Sequence, residues 1–352
     1  MLKETIDTPS VLIDLDRVER NVQEYQKYCD NIGIKLRPHI KTHKIPELAK
    51  LQLSKGAIGI TCQKISEAEA IISESGINDI FITYNIIGDT KLAALKNLSK
   101  KVHLSVVADS LPCIEGLAKT FEDSERKLKV LVECDTGAER CGVISPLAAL
   151  ELAREISCRP GLIFGGLMTY PPISEPEKIN GFLSKAKELI EKNAIPVEVI
   201  SIGGSPDMWK VEKIPLATEY RIGTYIFNDR SLIEREVCKE KDCALTVLTT
   251  VVSTPTENRA IVDAGSKVLT SDLFGLSDHG KIIDQPHLNI SQLTEEHGTI
   301  VCNNPTELKI GQQLQIIPNH ACVVTNMLDK VIFIRGGKQV KTQNVIARGK
   351  VW

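Results

Sequence analysis

At 352 residues, with 42% hydrophobic and 25% charged side chains and a formal net charge of −2, the chain is long for one domain and ordinary for a globular protein. That near-neutral balance gives no electrostatic basis for binding nucleic acid or an anionic membrane, and 4% aromatic residues leave little on which to stack single-stranded bases. Ten cysteines scattered singly, no apolar run of membrane-spanning length and no apolar core near the amino terminus exclude a disulfide scaffold and predict a cytoplasmic protein with reduced thiols.

The chain opens with a predicted strand over 8–15 that carries Pro9. Asp16 then reads as the N-cap of an amphipathic helix, with Val18, Val22 and Tyr25 at helical spacing, ending near Gly33. From there strands and helices alternate. Strands are predicted over 35–42, 58–62, 79–84, 102–108, 129–135, 164–170, 197–202 and 217–227, nearly all separated by helical patterns such as 46–55, 66–75, 146–156 and 177–192. Strict alternation implies parallel strands with crossover helices. Eight of them favour a closed (β/α)8 barrel of TIM type over an open doubly wound sheet, the alternative the pattern leaves. After about residue 236 the character changes to short β-branched segments, at 244–253, 260–262, 268–269, 313–317, 331–334 and 345–347, with helices scarce. The expected organisation is α/β: a barrel over 16–235, and a mainly β domain made of 1–15 and 236–352, with the strand at 11–15 returning to pair there.

The chemistry concentrates in Leu36-Arg37-Pro38-His39-Ile40-Lys41-Thr42-His43-Lys44, at the end of the first barrel strand. Such a run is either a solvated basic turn or a lysine nucleophile for a carbonyl, kept partly deprotonated by cationic neighbours. His39 and Lys41 share strand parity, so both can point into the barrel mouth. Lys41 is the favoured nucleophile. Lys44, three residues further in the loop before Pro46, reads as a solvated cation, and Arg37 as paired deeper in the barrel. His43 reads as a supporting donor or a neighbour of the next N-cap.

Other polar residues fall where barrel strands end: Tyr84, Asp135 with Arg140 in the loop after it, Tyr170, Gly203-Gly204-Ser205 and Gly223-Thr224-Tyr225. A Gly-Gly-Ser turn is by itself only a tight turn. At this position, with a second glycine turn one strand later, it offers N–H groups and a hydroxyl to a phosphate. A lysine for an aldehyde and a cradle for a phosphate together suit pyridoxal 5'-phosphate. In the β domain, Pro318-Asn319-His320-Ala321-Cys322 places imidazole and thiol on one face of an extended segment. That pair suits zinc or another divalent metal with positions left for water or substrate; the alternative is a buried cysteine beside an unrelated histidine. His279, His287 and His297 read as loop histidines without a role.

At these residues the chain resembles the D-threonine aldolase / D-serine dehydratase family of pyridoxal-phosphate enzymes, which share the alanine-racemase-like architecture of fold type III. The likeness runs through Thr8-Pro9, Asp14-Leu15-Asp16, the Arg37-to-Lys44 string, Gly137-Ala138-Glu139-Arg140-Cys141-Gly142, Arg221-Ile222-Gly223-Thr224-Tyr225 with Asn228-Asp229, Asp263-Ala264-Gly265-Ser266-Lys267 and Pro318-Asn319-His320-Ala321-Cys322. It implies a barrel plus a β domain, usually a homodimer, acting on a small D-amino acid. It further implies Lys41 as the Schiff-base lysine and a divalent metal (zinc, or manganese or magnesium) on His320 and Cys322. By the same resemblance Tyr170 sits against the cofactor ring, Arg140 lies near it on the same face as a catalytic residue, and Gly203, Gly204, Ser205, Gly223 and Tyr225 contact the phosphate.

The implied activity is a lyase on a D-β-hydroxy amino acid. Two departures bear on which bond breaks: Pro171-Pro172 follows Tyr170 where the family's aldolases tend to continue His-Gly, and Cys322 stands where they usually carry aspartate. Both speak against a plain D-threonine aldolase, and Cys322 slightly favours β-elimination of the D-serine dehydratase kind, with retro-aldol cleavage as the alternative. A racemase, more distant, commonly takes a second base from a β-domain tyrosine, and residues 236–352 contain no tyrosine. A non-catalytic cofactor carrier would lack the β domain altogether.

Overall fold

The computed structural model describes residues 6–352, so residues 1–5 of the amino-terminal segment assigned to the β domain lie outside the described residues. The chain divides into a barrel unit, made of Gln26–Lys41, Pro46–Gly223 and Lys350–Trp352, and a β unit made of the described residues up to Tyr25, Thr42–Ile45 and Thr224–Gly349.

The barrel unit has eight parallel strands: Lys35–Leu36, Ile60–Cys62, Asp79–Asn85, His103–Ala108, Leu128–Cys134, Leu162–Thr169, Val199–Gly203 and Glu219–Arg221. From the second to the eighth, each pairs with the next in chain order, and the first pairs with the last. The ring closes where Ile58 N–H donates to the Leu36 carbonyl at 2.9 Å and Thr61 N–H to the Pro38 carbonyl at 2.8 Å, beside a parallel bridge from His39 to Thr61. This is the closed barrel that the alternation predicts, not a doubly wound sheet.

Six α-helices carry the crossovers: Pro46–Ser54, Ile65–Ser75, Asp89–Ser99, Leu111–Phe121, Pro146–Cys158 and Pro176–Lys192. The last crossover holds only the 3-10 turn Met208–Lys213. Local chemistry sets their ends. Ser145 accepts the Ala148 N–H at 3.2 Å ahead of Pro146, and Gly76, at φ 68°, stops Ile65–Ser75. Phe81, Val107, Leu131 and Met168, from four successive strands, pack together inside the barrel; burying each is worth about 1.5–3 kcal/mol.

Two predicted strands are shorter than expected. The regular strand over 35–42 is confined to Lys35–Leu36. The Arg37 N–H still donates to the Tyr220 carbonyl at 3.0 Å and the His39 N–H to the Ile222 carbonyl at 2.7 Å. Pro38 between them has no N–H to give to the other side, and the chain leaves the sheet in the 3-10 turn Ile40–Thr42. The strand over 217–227 is confined to Glu219–Arg221 and gives way to the turn Thr224–Ile226. At the amino end Asp14, not Asp16, caps the helix Leu15–Asn31: its Oδ1 accepts the N–H groups of Asp16 at 3.0 Å and Arg17 at 3.2 Å.

In the β unit six antiparallel strands close a small barrel, in the order Leu245–Thr256, Arg259–Val262, Gly298–Val301, Asn289–Leu293, Lys281–Ile282, Gln313–Ile317 and back to the first. Ser10–Asp14 pairs antiparallel with Leu245–Thr256 and parallel with Lys330–Arg335, whose hairpin partner is Lys338–Asn344. Two predicted strands are corrected. Val268 and Leu269 lie in the helical turn Ser266–Leu269, and 345–347 falls beyond the end of Lys338–Asn344. A further helix, Ala321–Met327, forms despite its β-branched residues. Asp229 Oδ2 accepts the Ala321 N–H at 3.1 Å, and the Thr325 hydroxyl donates to the Thr42 carbonyl at 2.6 Å. Among the described residues no helix is long and apolar enough to cross a membrane.

Candidate active site

Burial separates the basic residues that the sequence crowds together. Of residues 36–46, Lys41 alone is exposed; Arg37, His39, His43 and Lys44 are all buried. Lys41 does not sit on a strand, so parity with His39 does not aim it. It stands in the turn Ile40–Thr42 just past the strand end. His39 shapes that turn: its Nδ1 accepts the Lys41 N–H at 3.4 Å, which leaves the ring proton on Nε2, 3.1 Å from Gln63 Oε1. Gln63 in turn donates to the Thr83 carbonyl at 3.0 Å. Arg37 is paired inside the barrel, with Nε 2.7 Å from Glu219 and Nη1 bonded to Asp79. The expectation of a solvated Lys44 is overturned. At φ 56° it folds inward, and its ammonium donates to Asn326 Oδ1 at 2.8 Å. His43, also buried, accepts the Ile45 N–H at 3.0 Å, one residue ahead of the helix at Pro46.

The other barrel residues gather at the same, carboxyl ends of the strands. Asp135 accepts the Gly137 N–H at 2.8 Å and the Glu139 N–H at 3.1 Å, folding the loop that carries Arg140. Burial acts to raise the pKa of Asp135, but these N–H groups outweigh it and hold the carboxyl low. The Arg140 guanidinium lies 4.5 Å from the centre of the Tyr170 ring, a cation–π contact that brings two predicted site residues together. Tyr84 is exposed, with the Lys64 ammonium 3.4 Å from its ring centre.

The glycine turns are not equivalent. A Cβ on Gly203 would meet the Arg221 carbonyl at 2.3 Å, so close strand packing requires glycine there. Gly204, at φ 130°, donates its N–H to that same carbonyl at 3.2 Å, and its nearest side-chain atom is on Tyr170, 3.9 Å from a Cβ built there. The amides of Ser205 and of buried Gly223 donate to nothing among the described residues, and neither does the Ser205 hydroxyl. Unpartnered donors on two adjacent glycine turns fit a phosphate, and an exposed lysine beyond a neighbouring strand fits its aldehyde.

Below them lies a charged interior. Buried Arg221 donates to Ser201 Oγ at 2.9 Å and to the Thr169 carbonyl at 2.7 Å, and burial lowers its pKa to about 10. Buried Glu133 accepts from Asn85 at 3.1 Å. Its pKa is raised to about 6 by burial and by Asp109, against the pull of Arg140 and Arg221. A cavity of about 320 Å³ opens at the opposite, amino ends of the strands beside Arg37, Asp79 and Lys129, away from all of these residues.

In the β unit His320 and Cys322 do come together, though not on an extended segment: His320 is the N-cap of the helix Ala321–Met327 and Cys322 is that helix's second residue. His320 Nδ1 lies 2.6 Å from Asp272 Oδ2. Burial acts to lower the pKa of His320, but the Cys322 thiol and the Asp272 carboxylate push it up to about 9. Thr42, the residue directly after Lys41, has its hydroxyl 3.1 Å from the Cys322 sulfur, and the Thr224 hydroxyl is 3.7 Å from it. Among the described residues no three His, Cys, Asp or Glu side chains are placed to hold a metal. A nitrogen–sulfur pair with Nδ1 already engaged fits a metal held by two protein ligands and completed by solvent or substrate. Tyr225 belongs to this unit, fully buried, with its ring 5.2 Å from that of Tyr25.

The sequence reading gave no part to Asp272, Glu133 or Ser201. Asp272 is 48 residues from His320 in the chain, so spacing carries no signal of their contact.

A family profile for the alanine racemase N-terminal domain matches residues 13–231, and one for a serine dehydratase domain matches residues 244–334. The chain is 31% identical to a D-threonine aldolase from Arthrobacter sp over 98% of its own length and 93% of the relative's. It is 29% identical to the D-threo-3-hydroxyaspartate dehydratase of Delftia sp. (strain HT23), over 90% of this chain and 91% of the relative. The crystal structure of a D-threonine aldolase from Filomicrobium marinum superposes with a TM-score of 0.88 at 30% identity, covering 99% of this chain and 97% of the other.

Proposed function

Since the chain belongs to the D-threonine aldolase / D-serine dehydratase family of pyridoxal-phosphate lyases, we propose that it acts on a D-β-hydroxy amino acid by β-elimination, with Lys41 as its catalytic amine. The observation that carries this reading is the exposure of Lys41: among eleven consecutive residues, 36–46, it alone is exposed. Bound pyridoxal phosphate supplies an electron sink for the charge left on the substrate Cα. Ser205 and Gly223 would hold its phosphate through the donors that the protein leaves unpartnered, and Tyr170, in contact with Arg140, would sit against its ring. Lys41 Nζ would hold the cofactor's aldehyde and, as a neutral amine, would take the proton from the substrate Cα. His320 and Cys322 would hold a divalent metal, whose Lewis acidity would help the β-hydroxyl leave. The products are a keto acid and ammonia.

Retro-aldol cleavage is the second reading, favoured by the 31% identity to a D-threonine aldolase. It needs a base for the β-hydroxyl proton, and Pro171-Pro172, directly after Tyr170, offer none. A two-point difference in identity between aldolase and dehydratase relatives carries less weight than that chemistry. The family's habit of dimerising extends the proposal to a homodimer.

The test is a product assay of cofactor- and metal-loaded protein with D-serine, D-threonine and D-threo-3-hydroxyaspartate. Keto acid and ammonia are expected, and both are lost on exhaustive chelation. Glycine with an aldehyde would replace the proposal by the aldolase reading. Formation of the L-enantiomer alone would make the protein a racemase.

A further inference from the structure

We infer that Asp272 is a positioning residue for the metal: its carboxylate holds the His320 imidazole with the proton on Nδ1 and so presents Nε2, beside the Cys322 thiol, as the ligand atom. This rests on the proposal that His320 and Cys322 are the metal's protein ligands, and adds the group that makes one of them competent. A metal takes a neutral imidazole through one nitrogen, and the hydrogen bond at the other nitrogen fixes which one. Here Nδ1 is 2.6 Å from Asp272 Oδ2, inside the range for a charge-assisted bond.

The contact is built rather than incidental. The side chain of Asn319, the residue before His320, donates to the Asp272 carbonyl at 3.1 Å and to the Asp278 carbonyl at 2.7 Å, so two successive residues grip the same loop. Asn319 is buried, and the Phe274 ring meets the imidazole edge-on with centroids 4.8 Å apart, closing another side of the ring. Asp229, wholly buried, holds the backbone one residue on through the Ala321 N–H. The imidazole is therefore oriented from its backbone, from one flank and from Nδ1. Asp272 is the only one of these groups that also selects the tautomer.

Metal affinity tests this apart from turnover. Co(II) and Zn(II) are titrated into cofactor-loaded, metal-free protein in competition with a chromophoric chelator, for wild type, H320A, D272A and D272N. The visible absorbance of the bound cofactor reports that each variant is folded. Asp272→Ala is expected to weaken binding about 10–100-fold while keeping the thiolate-to-cobalt absorption that marks Cys322 as a ligand. In Asp272→Asn the amide oxygen still accepts from Nδ1, so most of the affinity should return; a merely structural role would not predict that order. Wild-type affinity in Asp272→Ala overturns the inference. A changed cobalt spectrum, with Asp272→Asn as weak as Asp272→Ala, makes Asp272 a direct ligand and overturns it too. If His320→Ala binds as tightly as wild type, the metal assignment itself fails, and that result is distinct from either.

Discussion

Lys41 and Lys44 are chemically alike and three residues apart, yet the fold gives them opposite surroundings. The ammonium of Lys44 is buried on Asn326, while Lys41 is exposed in a turn shaped by the Nδ1 of His39. Glu133 is the residue-scale feature with the clearest consequence for pH. Its carboxyl titrates near 4.5 in the unfolded chain and at about 6 when folded, chiefly because it is buried. A raised folded pKa means stability that is fully present below about pH 4.5 and is lost as the pH climbs through 6. The shift amounts to about 2 kcal/mol. Glu133→Gln, which cannot titrate, should therefore gain about that much on wild type between pH 4.5 and pH 7. Denaturant midpoints of the cofactor-free proteins measure it, and parallel stability curves would contradict it. The proposed nucleophile stands out in the sequence because Lys41 closely follows a β pattern in a dense basic string. The burial of Lys44 is not, because it depends on a left-handed backbone at a residue other than glycine. Asp272 is illegible for a different reason: its partner is brought to it by tertiary folding alone.

At the scale of elements, the period-2 and period-3.6 patterns locate all eight barrel strands but misjudge where two of them end. Pro38 removes a ladder donor and the chain turns off the sheet at Ile40, so parity stops being a guide just where the chemistry begins. The same error recurs at His320 and Cys322. An extended segment and a helix N-terminus both bring residues two apart together, so the two side chains are neighbours even though the predicted conformation is wrong. Arg37, directly after the first strand, ties it to the eighth strand by pairing with Glu219 and to the third by pairing with Asp79. Arg37→Met strands the buried Glu219 carboxylate, which keeps only the Ser201 hydroxyl at 2.6 Å. The expected loss is about 3–5 kcal/mol, read from denaturant unfolding, and Arg37→Met with Glu219→Gln should recover a large part of it. A loss below about 1 kcal/mol, usual for exposed pairs, would contradict a buried role.

For the whole molecule, the barrel is legible because its strands and helices simply alternate, while the β unit is only partly so. Strands such as Lys281–Ile282 and Asn289–Leu293 are short and poor in β-branched residues, and they owe their existence to closing a small barrel rather than to local preference. Around both units runs one claim: a single lysine, Lys41, carries the chemistry of a D-amino-acid lyase. Borohydride reduction of the cofactor-loaded protein, followed by peptide mass mapping, tests it most directly, because reduction fixes the cofactor to the amine it occupies. Pyridoxyl phosphate is expected on Lys41 and on no other residue. Attachment to Lys44 or another lysine, or none at all, would contradict it.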